Sequence, residues 1–312
     1  MSVSSDVLEI RYSKIYNRYV KNDIKIASLS DIHISNKTND KDLNFIINSI
    51  KTEKPNYICV LGDIIDYPRV IDDEKNRLKC MNLFEGLSNI AQVFIIFGNH
   101  DYINYDKNNN HEENYKMDFW NEITSIKNIN LINDKNISLK DIVISGYFEK
   151  KNIYHDKEEN AFYDDFSSIS ELNIKNSKKP SILIMHSPEP FDIEKNIDLI
   201  RNYDIVLCGH YHDGCVPVFL NKLKIFKNRG VVTPSKKVFH KNTRGIRKIN
   251  NTYLIYNGGW VKIANNTPKY LHMLDKLCNR QIEITILTND PNCKNISVNT
   301  KKVKRKIYDR KN

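Results

Sequence analysis

The sequence predicts a layered α/β domain to which further strands add a second sheet, and three observations carry that expectation. Short β-branched runs alternate with amphipathic helical patterns through the first two-thirds of the chain. From Val216 onward, strand-like runs follow one another with little helix between them. No linker composition or internal repeat separates the two regions, so all 312 residues are expected to form one domain. Its core is expected over about 22–290, with a basic tail over about 297–312.

Taken in order, Ile24 to Leu29 (IKIASL) reads as a strand, and Leu43, Ile46, Ile47 and Ile50 then share one helix face at i, i+3, i+4, i+7. Tyr57 to Leu61 is the next strand, and Leu78, Met81, Phe84 and Leu87 mark the next helix. Val93 to Phe97 is a third strand; Phe119, Ile123 and Ile126 mark a helix after it. Ile182 to Met185 and Ile205 to Cys208 are strands separated by a helix carrying Ile193, Ile197 and Ile200. Beyond these, VPVFLNKLKIF, TYLIYNGGW and IEITILT read as strands of a second sheet packed on the first. Two polar loops stand out, Asp106 to Asn114 and Lys150 to Asn160. The first follows a cluster of possible ligands and is a candidate lid.

With 40% hydrophobic and 10% aromatic residues, the composition is that of a globular chain and excludes a disordered one. The formal charge of +10 reflects a Lys-rich composition and does not by itself indicate nucleic acid. Its distribution says more. From Gly214 to Leu274 there is no Asp or Glu, whereas Lys and Arg recur throughout. A solvated face and a surface for an anionic substrate are both open readings of that stretch; the basic run Lys301 to Lys311 reads as a frayed tail. The six cysteines form no CxxC pair, and Cys59 and Cys208 lie in apolar runs as buried thiols do. No signal-peptide pattern and no run of roughly 18 to 20 apolar residues is present, so the expected location is cytoplasmic, without a transmembrane segment.

Each of five apolar runs closes on possible metal ligands: Ser30-Asp31-Ile32-His33, Gly62-Asp63-Ile64-Ile65-Asp66, Gly98-Asn99-His100-Asp101, Met185-His186-Ser187 and Gly209-His210-Tyr211-His212. Sites in open α/β sheets form where loops converge at the carboxyl ends of strands. Of ten glycines, Gly62, Gly98 and Gly209 directly precede these groups, and five of nine histidines fall within them. Singly, each motif has an ordinary explanation, such as a helix N-cap or a hydrogen-bonded core histidine. Five in succession do not.

DIH, GDIID, GNHD, a lone MH and GHYH, in that order between Ile24 and His212, resemble the calcineurin-like metallophosphoesterase superfamily, on its small bacterial phosphodiesterase and phosphoesterase side. GHYHDGC departs from the GHTHGGQ of many small bacterial members, which leaves the substrate open. The resemblance implies a four-layer αββα sandwich: two mixed β-sheets packed face to face, helices outside, and a site at the loop cluster of one edge. It implies one metal held by Asp31, His33, Asp63 and His212, and a second held by Asp63, Asn99, His186 and His210, with Asp63 bridging. Two divalent cations about 4 Å apart need such a shared anion and can clamp the attacking and leaving oxygens of a displacement. Mixed imidazole and carboxylate ligation favours Mn, Fe, Zn or Ni, Mn being the first candidate.

The implied activity is hydrolysis of an anionic phosphodiester or phosphomonoester by in-line attack of a metal-bridging hydroxide. His100 would protonate the leaving oxygen, and Asp66 would hold His100 in position. Asp101 is expected to support the turn. Two alternatives stand beside this reading: a nuclease of the same superfamily, for which nucleic acid is the partner, and a non-catalytic metal-binding scaffold. Trp260 is expected as core filler at a strand end, or as a ring that stacks on substrate.

Overall fold

The structure is a computed structural model that describes residues 7–105, 111–151, 154, 168–172, 178–234, 237–262, 272–293 and 296–304. Seven strands build the first sheet, in the spatial order β15 (Ser297–Lys304), β1 (Val7–Tyr16), β14 (Arg280–Thr288), β2 (Ile24–Leu29), β3 (Tyr57–Leu61), β4 (Gln92–Ile96) and β7 (Ile129–Leu131). Six build the second: β12 (Gly245–Ile249), β13 (Thr252–Tyr256), β11 (Ile205–Cys208), β10 (Ser181–Ile184), β9 (Val143–Gly146) and β8 (Lys135–Ser138). A short ribbon pairs β5 (Ile103–Tyr105) with β6 (His111–Glu113). The run β2-β3-β4-β7 and the run β13-β11-β10-β9 are parallel, with antiparallel strands added outside them.

Strand alternation divides the first sheet into two faces. Ile24, Ile26, Cys59, Leu61, Phe94 and Ile96 point at the second sheet and pack with Ile182, Ile184, Ile205 and Leu207. Ala27, Leu29, Ile58, Val60, Val93 and Ile95 point the other way. They meet the apolar faces of α1 (Asp40–Glu53), α2 (Glu74–Ser88) and α4 (Met117–Ser125). Side-chain caps start the first two helices: Asn39 accepts from the Asp42 N–H at 2.9 Å and Asp73 from the Lys75 N–H at 2.9 Å.

The parallel strands of the second sheet are buried on both faces. Among the described residues their outer cover includes Ile169, Phe191, Ile200 and Tyr203. These sit in or beside 3₁₀ turns at Ser168–Glu171, Glu189–Asp192 and Glu194–Ile200. The two sheets therefore pack face to face as the αββα order requires, and the helix expected over Ile193 to Ile200 is 3₁₀ turn.

Other expectations change as well. The strands after Val216 form no separate sheet: β13 joins the second sheet and β14 inserts into the first between β1 and β2. VPVFLNKLKIF is not a strand but two 3₁₀ turns, Val218–Leu220 and Lys224–Phe226. The basic run expected to fray is strand as far as Lys304, because β1 offers it an edge; Lys301 pairs with Ile10. Residues 7–16, outside the expected core, supply that edge. Leu78 is 53% exposed, and α2 buries Cys80 and Leu83 in its place. Much of the candidate lid over 106–114, and most of the loop over 150–160, lie outside the described residues. Cys59 and Cys208 are buried free thiols, and Trp260 packs in the core against Phe45. No helix among the described residues is long and apolar enough to cross a membrane.

Candidate metal centre

The five ligand-bearing runs end β2, β3, β4, β10 and β11, whose carboxyl ends meet at one edge of the sandwich. Beyond their strands the loops stay laced together. The Asp31 N–H donates to the Gly62 carbonyl at 3.1 Å, and the His33 N–H to the Asp63 carbonyl at 3.0 Å. The Gly209 N–H donates to the His186 carbonyl at 2.9 Å, and the Val261 N–H to the Asp31 carbonyl at 2.9 Å. Close approach dictates two glycines. A Cβ on Gly98 would collide with the Asp63 carboxylate, and one on Gly62, at φ +85°, would meet the backbone of Gly98.

All seven candidate ligands are buried. Asp31, His33 and His212 bring ligand atoms within 4.8 Å of one another, as do Asp63, His186 and His210. Asp63 lies between the two groups, with Oδ2 3.6 Å from His33 Nε2 and 3.1 Å from His186 Nε2. Its Oδ1 accepts from the His100 N–H at 2.8 Å, which fixes the carboxylate plane. His212 Nε2 lies 3.6 Å from Asp31 Oδ1, and His210 Nδ1 lies 3.2 Å from His186 Nε2.

Backbone carbonyls set which ring nitrogen faces the site. A carbonyl only accepts, so His186 Nδ1, 2.7 Å from the Leu61 oxygen, carries a proton and turns Nε2 inward. His212 Nδ1, 2.6 Å from the Val261 oxygen, does the same. His33 Nδ1 faces the Asp66 carboxylate at 3.4 Å, an arrangement that orients a metal-binding imidazole. Asn99 donates from Nδ2 to the Tyr105 hydroxyl at 2.6 Å, leaving Oδ1 buried without a hydrogen-bond partner. Asp31 Oδ1 and His33 Nε2 are likewise buried without hydrogen-bond partners. Buried polar atoms left open in one place fit a cation that would complete them.

The electrostatics agree. Burial disfavours the charged form of His33, yet Asp66, Asp63 and Asp31 push its pKa up to about 9. Burial acts the same way on His186, and Asp63 prevails, pushing it up to about 10. Burial would raise Asp63, but His186 and His100 hold it well below the usual carboxylate range. His210 and His212 are pushed down by burial, reinforced by the neighbouring imidazoles.

His100 sits on α3 (Asn99–Tyr102), edge-on to His33 with ring centroids 4.7 Å apart. The contact expected between it and the Asp66 side chain is made by the backbone: His100 Nδ1 lies 2.6 Å from the Asp66 carbonyl oxygen. The Asp66 carboxylate leans on His33, though it stays within 4.8 Å of a His100 ring nitrogen. Asp101 supports the turn as expected, accepting from the N–H groups of Ile64, Ile65 and Gly98 at 2.8, 3.1 and 2.8 Å. Two tyrosines at the site carried no motif signal. Tyr105 holds Asn99, and the half-buried Tyr154 ring lies 5.5 Å from that of His210.

An αββα sandwich whose strand-end loops gather buried carboxylates and imidazoles around one aspartate has the residues of a candidate metal centre. The family described as calcineurin-like phosphoesterase matches residues 24–214, and the chain belongs to it. It is 26% identical over 207 residues to an uncharacterised metallophosphoesterase of Campylobacter jejuni, covering 66% of this chain and 48% of that one. An uncharacterised metallophosphoesterase of Helicobacter pylori is 23% identical over 217 residues, 70% of this chain and 52% of that one. The chain thus spans about half the length of the curated relatives it matches. A crystal structure of a dimetal phosphatase from Danio rerio aligns with a TM-score of 0.41 at 11% identity, over 79% of this chain and 90% of that chain.

Proposed function

We propose that the chain is a dinuclear metal-dependent phosphoesterase that hydrolyses a phosphodiester or phosphomonoester by in-line displacement. The observation that carries this reading is the position of Asp63 Oδ2, within 3.6 Å of His33 on one side and 3.1 Å of His186 on the other. Asp31, His33, Asp63 and His212 would hold one cation; Asp63, Asn99, His186 and His210 would hold the other. Two divalent transition metals, Mn first among Mn, Fe, Zn and Ni, would supply a water acidified for attack and positive charge against the phosphoryl oxygens.

The chain's own groups do the rest. His100 carries a proton on Nδ1 because the Asp66 carbonyl accepts there, so a proton for the leaving oxygen comes from Nε2 of the imidazolium, a form that burial disfavours and that Asp63 and Asp66 favour. Asp66 acts through His33, whose ring it orients, and through its carbonyl on His100. The amide oxygen of Asn99 would ligate a cation without adding negative charge that would repel phosphate. Tyr105 sets the orientation of that amide.

The test pairs elemental analysis of the purified chain with hydrolysis of bis-p-nitrophenyl phosphate and p-nitrophenyl phosphate in added Mn²⁺. About two transition-metal ions per chain and metal-dependent turnover are expected, with the ratio of the two rates separating diester from monoester preference. Failure to bind metal stoichiometrically under any loading condition would remove the basis of the proposal.

A further inference from the structure

Among the described residues eleven large apolar side chains are exposed, and five of them crowd into residues 219–239. They are Phe219 at 67%, Leu223 at 51%, Ile225 at 56%, Val238 at 64% and Phe239 at 51%. The segment is folded and not frayed. Its 3₁₀ turns are anchored by buried Phe226, whose ring lies 6.1 Å from that of Phe239. The strip around Arg229 to Val232 pairs with Val238 to Lys241. That strip is tied by Val231 N–H to the Gly214 carbonyl at 2.7 Å, two residues after His212. The exposed apolar tips therefore sit on a hydrogen-bonded platform tied to the chain beside His212.

The charges around them have one sign. The described residues of 218–241 include Lys222, Lys224, Lys227, Arg229, Lys237 and Lys241 and no carboxylate. Lys224 and Lys227 also form one wall of a groove of about 1040 Å³, where Arg11, Arg244, Lys248 and Lys302 add further cations. Among the described residues four carboxylates reach the region, one of them Glu283, 3.9 Å from Arg11. Asp192 pairs with Lys237 and His240, Asp213 pairs with Arg244 and Arg11, and Glu9 lines the groove beside Arg11.

We propose that residues 218–234 and 237–241 dock the protein on an anionic lipid bilayer. Phe219, Leu223, Ile225, Val238 and Phe239 would enter the headgroup and acyl boundary while the surrounding lysines meet lipid phosphates. Exposed aliphatic side chains favour this partner over a nucleic acid, because Leu, Ile and Val have no planar face on which a base could stack. The lysines supply the complementary charge, and each near an anionic surface strengthens binding about fivefold. The docking does not depend on the catalytic reading, since it is measured as binding.

The test is sedimentation of the full chain with vesicles of phosphatidylcholine alone and of phosphatidylcholine with about one-third phosphatidylglycerol. Binding to the mixed vesicles only is expected, weakening as salt screens the lysines. The triple substitution Phe219→Ser, Leu223→Ser, Ile225→Ser should lower the partition coefficient at least roughly tenfold. A second variant, Lys222→Gln with Lys224→Gln, should lower it roughly 25-fold if the two contributions multiply. Both variants change exposed side chains, so melting temperature and bound metal should match the parent. Equal binding to both vesicle types, or variants that bind like the parent, would overturn the proposal. So would absence of vesicle binding accompanied by salt-sensitive binding of single-stranded DNA, or by a dimer that the triple substitution dissociates.

Discussion

Metal loading of this site should expel protons, and the structure says how many come from the protein. His33 and His186, raised to about 9 and about 10, are both protonated near neutral pH in the metal-free chain. His210 and His212 are pushed down and already neutral, while Asp63 is held well below the usual carboxylate range. Binding at Nε2 of His33 and His186 therefore requires both to lose a proton, and the overall loading constant should rise by about two decades per pH unit up to about pH 9. That is about 2.7 kcal/mol per unit, from 1.36 kcal/mol for each proton. The assay is calorimetric titration with Mn²⁺ at about pH 7.5 in two buffers of unlike ionisation enthalpy. His33→Asn should release about one proton fewer than the parent. Protons lost by solvent at the loaded site are common to both chains and cancel in that difference. A parent chain that releases no proton, or a variant that releases the same number, would refute the reasoning.

Two further predictions follow from single side chains. His100→Asn should leave metal content intact and cost about 10² to 10⁴ in rate, most for substrates with poor leaving groups; equal slowing of all substrates would remove the proton-delivery role. Burial pushes the Glu283 carboxyl up to about 8 against the pull of Arg11, while Ser13 donates to it at 2.8 Å. A raised carboxyl contributes stability that is complete below its unfolded pKa of 4.5 and lost as pH rises through about 8. Urea denaturation of Glu283→Gln should therefore lose a slope of up to about 1.4 kcal/mol per pH unit, and a variant that tracks the parent would mean Glu283 is ionised throughout.

The site was more legible than the fold's margins, for a physical reason. Each ligand cluster closes a run that is buried in the structure, so period and length, and at three of the five the closing glycine, point to the same strand end. Asp66 shows where that signal stops: its spacing from Asp63 is plain, but whether carboxylate or carbonyl reaches His100 depends on a turn that spacing does not encode. The margins failed differently. β15 carries an exposed, lysine-rich pattern because it is an edge strand, and charge on an edge hinders pairing with other chains. Its partner β1 is matched to β14 across some 270 positions, a register invisible to local periodicity. The segment 216–226 has strand-like composition, yet Phe219, Leu223 and Ile225 face solvent, so tertiary context decided against the propensity.

Five of the seven candidate ligands (Asp31, His33, Asp63, His210 and His212) hold left-handed backbone, with φ between 48° and 65°. Such non-glycine conformations cost of the order of 1–3 kcal/mol each and persist only where surroundings over-determine them. Here the surroundings are the hydrogen bonds that continue the strand ladders past β2, β3 and β11, so the ligand directions are fixed by the sandwich itself. A preorganised cluster of buried carboxylates needs positive charge at all times. In the metal-free chain the protons on His33 and His186 provide it, adding stability that is complete below about 6.5 and lost as pH rises through about 9 to 10. Metal ions supply the same charge without depending on those protons. The metal-free and loaded proteins should thus differ less in stability near neutral pH than above about pH 9, where strained loops and unpaired carboxylates remain with nothing between them.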